Sequence, residues 1–344
     1  MSPSQGTIDG PSGGGSARLS ELLLSYLVPQ ALRVAAELRL PDLLHAGPKT
    51  ARELAQESAS DAWTLEVVLR LLAALALLTE EADGRFGLTP LAALLSETAP
   101  GPAWALATLR SAESYQAAGE LLHAVRTGDV AFDHLHGMSF YDYLGRHPTA
   151  GAKFNALMLA LAPNRYADLP TAFEFSTVGT LVDAGSGEGG LTCLLLTTCP
   201  HLRAVLFDAP PVIARAKERV AAAGVSARCE LVGGSFLEAV PQGGDVYLLA
   251  NVLNNWRDEQ ARQILRHCRR VMAERSRLLV VEGMYFPGEP LLRALVGVMV
   301  MVERGGRPRS EAENRALLES SGLRPIRAQR LSHQNQMLIE AAPA

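Results

Sequence analysis

The chain is poor in the features that mark a metal site, a membrane span or a phosphate-binding face. Its four cysteines among 344 residues, Cys193, Cys199, Cys229 and Cys268, form no C-x-x-C pair and have no histidine at ligand spacing beside them. No metal is implied. Cys193 and Cys268 sit in apolar, helix-like text, where a free thiol serves as a small core hydrophobe. This cysteine usage points to a reducing compartment, and so to the cytoplasm. The net charge of −4 lacks the clustered basic surplus of a nucleic-acid surface. No apolar run reaches the roughly 18 residues of a membrane span. The nearest approach, Leu291 to Val302, is interrupted by Arg293 and reads as a buried helix or pocket wall. Ser2 to Ser16 has neither the basic start nor the apolar stretch of a signal peptide, and its Gly, Ser and Pro predict a floppy tail over residues 1–16.

What remains is a hydrophobic content of 48%, enough for a substantial core, in a chain long enough for two domains. Residues 17–105 are helical text rich in Leu and Ala. Thr50 with Glu53 forms the pattern of a capping box. Ala62 to Leu78 repeats apolar residues at helical spacing, and the text around Asp83-Gly84 predicts a hairpin. Helix, helix, hairpin is the outline of a winged helix. A DNA-reading helix should present several Arg, Lys, Asn or Gln, whereas Trp63 to Arg70 carries Glu66 against Arg70 after Asp61. The unit therefore reads as a packing and dimerisation platform, with no nucleic acid as partner. Residues 106–165 read as a helical connector contributing to a substrate pocket.

From 166 to 344 short β-branched strands alternate with helices, predicting an α/β, doubly wound parallel sheet. The strands are Val178–Ala184, Ala204–Asp208, Cys229–Gly233, Val246–Ala250 and Leu278–Glu282, with a last pair near Pro325–Gln329 and Gln336–Glu340. Between the first strand and its helix lies Asp183-Ala184-Gly185-Ser186-Gly187-Glu188-Gly189-Gly190, where glycines let a ligand approach the backbone. Taken alone the loop also matches the G-x-G-x-x-G of a nicotinamide site. Three neighbours favour a cationic amino-acid nucleoside instead. Asp183 precedes the glycines, Asp208 ends the second strand where ribose hydroxyls would sit, and Ser235-Phe236 after the third offers a hydroxyl and an aromatic face for adenine.

With these residues the chain resembles the class I small-molecule O-methyltransferases of the caffeate and hydroxyindole type over about residues 17–342. The text that carries the likeness is Leu181–Gly190, Leu206-Phe207-Asp208-Ala209-Pro210, Gly234–Glu238, Asn254–Glu259, Gly305–Ser310, Phe140–Leu144 and Phe154–Met158. The resemblance implies a seven-stranded, Rossmann-like methyltransferase sheet and an all-helical, winged-helix-like N-terminal dimerisation domain. It implies a homodimer through the apolar N-terminal helices, including Leu22–Val28. It also implies S-adenosylmethionine (SAM) as cofactor, held by Asp183, Gly185, Gly187, Asp208, Ala209, Ser235, Phe236 and Ala250. Glu282, ending the fifth strand, matches a family acid/base position. Tyr141, Met158, Asn254 and Met299 are the expected substrate contacts.

The departures are specific. The family's catalytic His is Asn254 here, its Gly-Gly-x-Glu glutamate is Pro308, and the acid before Phe236 is Ser235. Leu253-Asn254-Asn255-Trp256 is similar to the text of the bacterial anthracycline-tailoring subgroup, which includes hydroxylases. An amide cannot take a proton, and a free phenol titrates near 10. Three chemistries stay open: transfer driven by alignment with Asn254 orienting the acceptor, a base supplied by Tyr141, His134 or His136, or a bound cofactor with no methyl transfer. A ligand-binding regulator is the reading from outside enzymology. Trp256 is expected to pack under its loop rather than to line the substrate site.

Overall fold

The computed structural model describes residues 13–109, 112–284, 290–332 and 336–344, and the chain divides into two compact units after Leu109. The first unit begins with the helix Gly13–Leu24, which starts inside the segment expected to be a tail. Helices Leu27–Glu37, Ala51–Glu57 and Ala62–Ala74 follow. Strands β1 (Lys49–Thr50), β2 (Leu78–Glu80) and β3 (Arg85–Leu88) form a three-stranded sheet in the order β1-β3-β2, so the unit is not all-helical. The capping box is present: Thr50 Oγ1 accepts the Glu53 amide, and the Glu53 carboxylate accepts the Thr50 amide at 2.7 Å.

The helix from Ala62 ends at Ala74, four residues short of the expected Leu78. Ala76 adopts a left-handed φ of 56°, and the Leu77 amide turns back to the Leu72 carbonyl at 2.9 Å. Leu78 thereby opens β2. Its buried face, Leu65, Leu69 and Leu72, joins Leu54 and Phe86 in this unit's core.

In the second unit strands β4 (Thr180–Ala184), β5 (Arg203–Asp208), β6 (Cys229–Gly233), β7 (Val246–Ala250), β8 (Arg277–Gly283), β9 (Leu323–Arg330) and β10 (Gln336–Pro343) build one sheet. Its order is β6-β5-β4-β7-β8-β10-β9, parallel throughout except for β10, which runs antiparallel to both neighbours. Both faces are covered, so the central strands are apolar on both sides. Leu181, Leu206, Leu248 and Leu279 pack into one core with helix Gly190–Thr198, whereas Val182, Val205, Leu249 and Val280 pack into the other with helix Asp258–Val271. Cys193 and Cys268 are buried there as free thiols.

Helix Pro290–Arg304 covers Leu291–Val302, expected to be a buried helix or pocket wall, and is buried on one side only. Leu291, Leu292, Leu295 and Val298 are exposed within this unit, while Val300 and Val302 are buried. No helix among the described residues is long and apolar enough to cross a membrane.

Candidate active site

The parallel strands end together at one edge of the sheet, where ligands of doubly wound folds bind. After β4 the chain turns through Gly185, Gly187 and Gly189, with φ of 86°, 58° and 82°. A Cβ on Gly185 would stand 2.6 Å from Val252 Cγ2 and 3.4 Å from the Phe236 ring. The loop is therefore a cradle that only glycine keeps open, with an aromatic ring on one side. Asp208, at the end of β5, accepts the Gly187 amide at 2.8 Å and the Ala209 amide at 2.7 Å. Burial raises its carboxyl, and those two amides oppose the rise.

Other members of the expected cofactor set lie differently. Asp183 is not open to a ligand: it is 1% exposed beneath the loop, accepts the Thr192 hydroxyl at 2.5 Å, and burial pushes it up to about 7. Its Oδ1 has no partner among the described residues. Ser235 Oγ accepts the Leu237 amide at 3.3 Å and so holds its own turn. Ala209 is exposed, and Ala250 is half-buried at the end of β7. The glycine cradle, the Phe236 face and the Asp208 carboxylate fit an adenosyl group. Among the described residues no cluster of His, Cys, Asp and Glu could hold a metal.

Asn254 stands on the 3₁₀ turn Leu253–Asn255 beyond β7. The turn is fixed from several directions. Asn251 takes a left-handed φ of 54° and donates from Nδ2 to the Tyr166 hydroxyl at 2.8 Å and to Gln336 Oε1 at 3.0 Å. Glu282, 2% exposed, accepts the Leu253 amide at 2.7 Å and the Asn254 amide at 3.4 Å through Oε1. The expected acid/base residue is therefore also an anchor of the turn. Burial pushes its carboxyl up to about 7 against those amides and the Arg309 guanidinium. Arg309 donates to the Leu253 and Trp256 carbonyls, each at 2.7 Å, and pairs with Asp258 at 2.9 Å. Asn255 donates to the Asn251 carbonyl at 2.9 Å and accepts from Arg304 at 2.6 Å. The Asn254 side chain itself makes no hydrogen bond among the described residues.

Next to this turn lies a cavity of about 590 Å³. Tyr141, Phe140, Trp256, Arg304, Asp133 and His134 are among its walls. Trp256 lines the cavity, stacking on Tyr141 at 5.7 Å and meeting Phe236 edge-on at 5.8 Å. Burial raises the Tyr141 hydroxyl, opposed by Arg304. His136 lies against Phe132 and Tyr143, at 4.3 and 4.9 Å, and does not line the cavity. Asn254, Met158 and Met299 do not line it either: Asn254 stands on the adjoining turn, and the two methionines are half-buried. Asn251, Asn255, Arg304 and Arg309 escaped the sequence reading. For Arg304 a signal was present: the pair Glu303-Arg304 closes an apolar run, and both side chains are buried.

A seven-stranded sheet with a reversed penultimate neighbour, a glycine cradle and an acidic β5 terminus defines a SAM-binding α/β fold. Residues 119–324 match the O-methyltransferase domain and residues 20–98 match the O-methyltransferase dimerisation domain. The chain belongs to this O-methyltransferase family, and it is a SAM-dependent O-methyltransferase. It is 38% identical over 308 residues to the phenazine O-methyltransferase PhzM of Lysobacter antibioticus, covering 89% of this chain and 90% of that one. It is 34% identical over 306 residues to the aclacinomycin 10-hydroxylase RdmB of Streptomyces purpurascens, covering 87% and 82%. It superposes with a TM-score of 0.85, at 30% identity over 94% of this chain and 98% of that one, on NcsB1 from neocarzinostatin biosynthesis. That structure is a complex with S-adenosylmethionine and 2-hydroxy-5-methyl naphthoic acid.

Proposed function

We propose that this enzyme methylates a hydroxyl group of a small aromatic or polyketide-derived natural product, and does so by alignment without a protein base. The supporting observation is the turn Leu253–Asn255, rigidly anchored by Glu282 and Arg309 with the Asn254 amide left unengaged. SAM, when bound at the Gly185–Phe236 cradle, supplies a methyl group made electrophilic by a cationic sulfur. Gly185, Gly187 and Asp208 hold the nucleoside, with Phe236 against the adenine.

The acceptor occupies the cavity beside Tyr141 and Trp256. Asn254, on the turn beside that cavity, would donate from Nδ2 to the acceptor oxygen and so orient its lone pair, with the hydroxyl proton passing to water as the oxygen–carbon bond forms and the carbon–sulfur bond breaks. Orientation of this kind lowers barriers by several kcal/mol, against the roughly 10²–10⁴-fold that a general base contributes. The likenesses to PhzM, a phenazine O-methyltransferase, and to NcsB1, seen in complex with a naphthoic acid, support a fused-ring acceptor. A homodimer through the N-terminal unit is supported by the dimerisation-domain match and by the exposed Leu19, Leu22, Leu23 and Leu24.

The test is calorimetric titration with SAM, S-adenosylhomocysteine (SAH) and NADH, followed by turnover of Asn254→Ala on a fused-ring phenol. Binding of the first two and not NADH is expected, with turnover of the variant reduced about tenfold or more and SAM affinity kept. Unchanged turnover would remove Asn254 from the mechanism. A second reading, a non-methylating tailoring reaction with SAM retained as a cationic element, is favoured by the absence of a proton acceptor at Asn254 and by the RdmB likeness. Tight SAM binding with no methyl transfer to any phenol tried would select it.

A further inference from the structure

The cavity beside Trp256 has a charge pattern that the overall reaction does not require. Its walls include three aromatic rings, Phe140, Tyr141 and Trp256, and its volume of about 590 Å³ lies within the range that encloses drug-sized ligands. Of its two guanidinium groups Arg304 is compensated by a carboxylate, whereas Arg257 meets only a backbone carbonyl and keeps its charge. Arg304 pairs with Glu303 at 2.6 Å, donates to Asn255 at 2.6 Å, and is wedged over the Phe140 and Phe154 rings at 5.0 and 5.6 Å. Arg257 donates to the Gly128 carbonyl.

The carboxylates lining the cavity are in the opposite condition. Asp133, in the first turn of helix Ala131–His136, has no hydrogen-bond or ion-pair partner among the described residues. Burial raises its carboxyl, Asp142 adds to the rise, and Arg257 opposes it. Asp129, at the exposed rim, faces His123 at 3.7 Å, and His134 faces Glu120 at 4.0 Å while stacking on His123 at 3.6 Å. An anionic ligand entering here would meet two carboxylates, and the one guanidinium without a carboxylate bond, Arg257, already acts on Asp133. A ligand ammonium would give Asp133 the charge-assisted donor that it lacks.

We propose that this cavity selects an aromatic ligand bearing a protonated amine and discriminates against its carboxylate analogue, with Asp133 as the specificity-determining residue. The inference rests on the reading of the cavity as the acceptor pocket, and it narrows the acceptor to amino-substituted hydroxyarenes.

The test is equilibrium binding to the SAH-saturated full-length protein at pH 7 of two probes that share a naphthol ring and differ in the charge of one substituent, 5-(aminomethyl)-1-naphthol and 5-hydroxy-1-naphthoic acid. The amine is expected to bind at least tenfold more tightly. Asp133→Asn should remove most of that ratio, and Asp133→Glu should restore part of it, with SAH affinity unchanged in both. Equal or tighter binding of the carboxylate, a ratio unmoved by Asp133→Asn, or binding of neither probe would overturn the proposal. Asp133-dependent binding of the amine without its methylation would sustain the proposal and count against the acceptor reading instead.

Discussion

Gly306→Ala is expected to lower methyl transfer by at least about a hundredfold while leaving SAH affinity within a few-fold of wild type. A Cβ at this position would meet the Asn254 carbonyl oxygen and the Asn255 carbonyl carbon closer than real Cβ atoms approach, and the Trp256 amide nitrogen at 2.6 Å. All three are backbone atoms, so no side-chain rotation relieves the collision. The turn also has little freedom to retreat. Its Leu253 and Trp256 carbonyls are held by Arg309, its amides by Glu282, and Asn255 by Arg304. The collision therefore displaces the peptide that carries Asn254, and a misplacement of about 1 Å can cost on the order of 10² in rate when catalysis rests on alignment. The cradle at Gly185 stands on a different loop, which is why cofactor affinity should survive. Gly119→Ala is the control, since a Cβ there meets nothing within 4 Å. Steady-state kinetics with SAH titration on the three proteins would decide the matter. Wild-type turnover in Gly306→Ala would show that the position of the turn does not limit the reaction.

The sheet was legible because both its faces are buried: β4, β5, β7 and β8 are continuous apolar runs that change the texture of the chain wherever they occur. The cradle was legible because Gly185, Asp208 and Phe236 stand at or just beyond the ends of β4, β5 and β6, each within a local motif. The helix end at Ala74 was not, because the residue that breaks the helix in left-handed geometry is Ala76 rather than the glycine that such a turn favours. Composition likewise cannot tell which side of an apolar helix meets a core, and Leu291, Leu292 and Leu295 came out exposed. The burial of Asp183 was not legible, because its position in the motif does not disclose that Thr192, in the first turn of the next helix, donates to its Oδ2. The Arg304–Asn255 contact joins residues 49 positions apart. No local pattern encodes such a pair, and the anchoring of the Leu253–Asn255 turn was for that reason invisible in the sequence.

Glu282→Gln is expected to flatten the pH dependence of stability. Burial sets the Glu282 carboxyl at about 7 in the folded protein, against an ordinary value of 4.5. The folded state therefore binds this proton more tightly than the unfolded state does, and stability falls as pH rises between those two values. The contribution is fully present below about 4.5 and is lost once pH passes about 7. At about 1.4 kcal/mol per pH unit the loss amounts to about 3 kcal/mol, a sizeable part of the roughly 5–15 kcal/mol that holds a domain folded. Asp183, also raised to about 7 by burial, contributes a similar slope, but it does so equally in wild type and variant. The difference between the two proteins isolates Glu282. Thermal midpoints at pH 5 and pH 8 should show the variant gaining several degrees on the wild type across the interval, whatever its offset at either end. Glutamine keeps the carbonyl oxygen that accepts the Leu253 and Asn254 amides, so turnover within about threefold of wild type is expected of an anchor. Parallel pH curves would place the Glu282 carboxyl at its ordinary value, and a tenfold or larger loss of turnover with the turn intact would return Glu282 to acid/base chemistry.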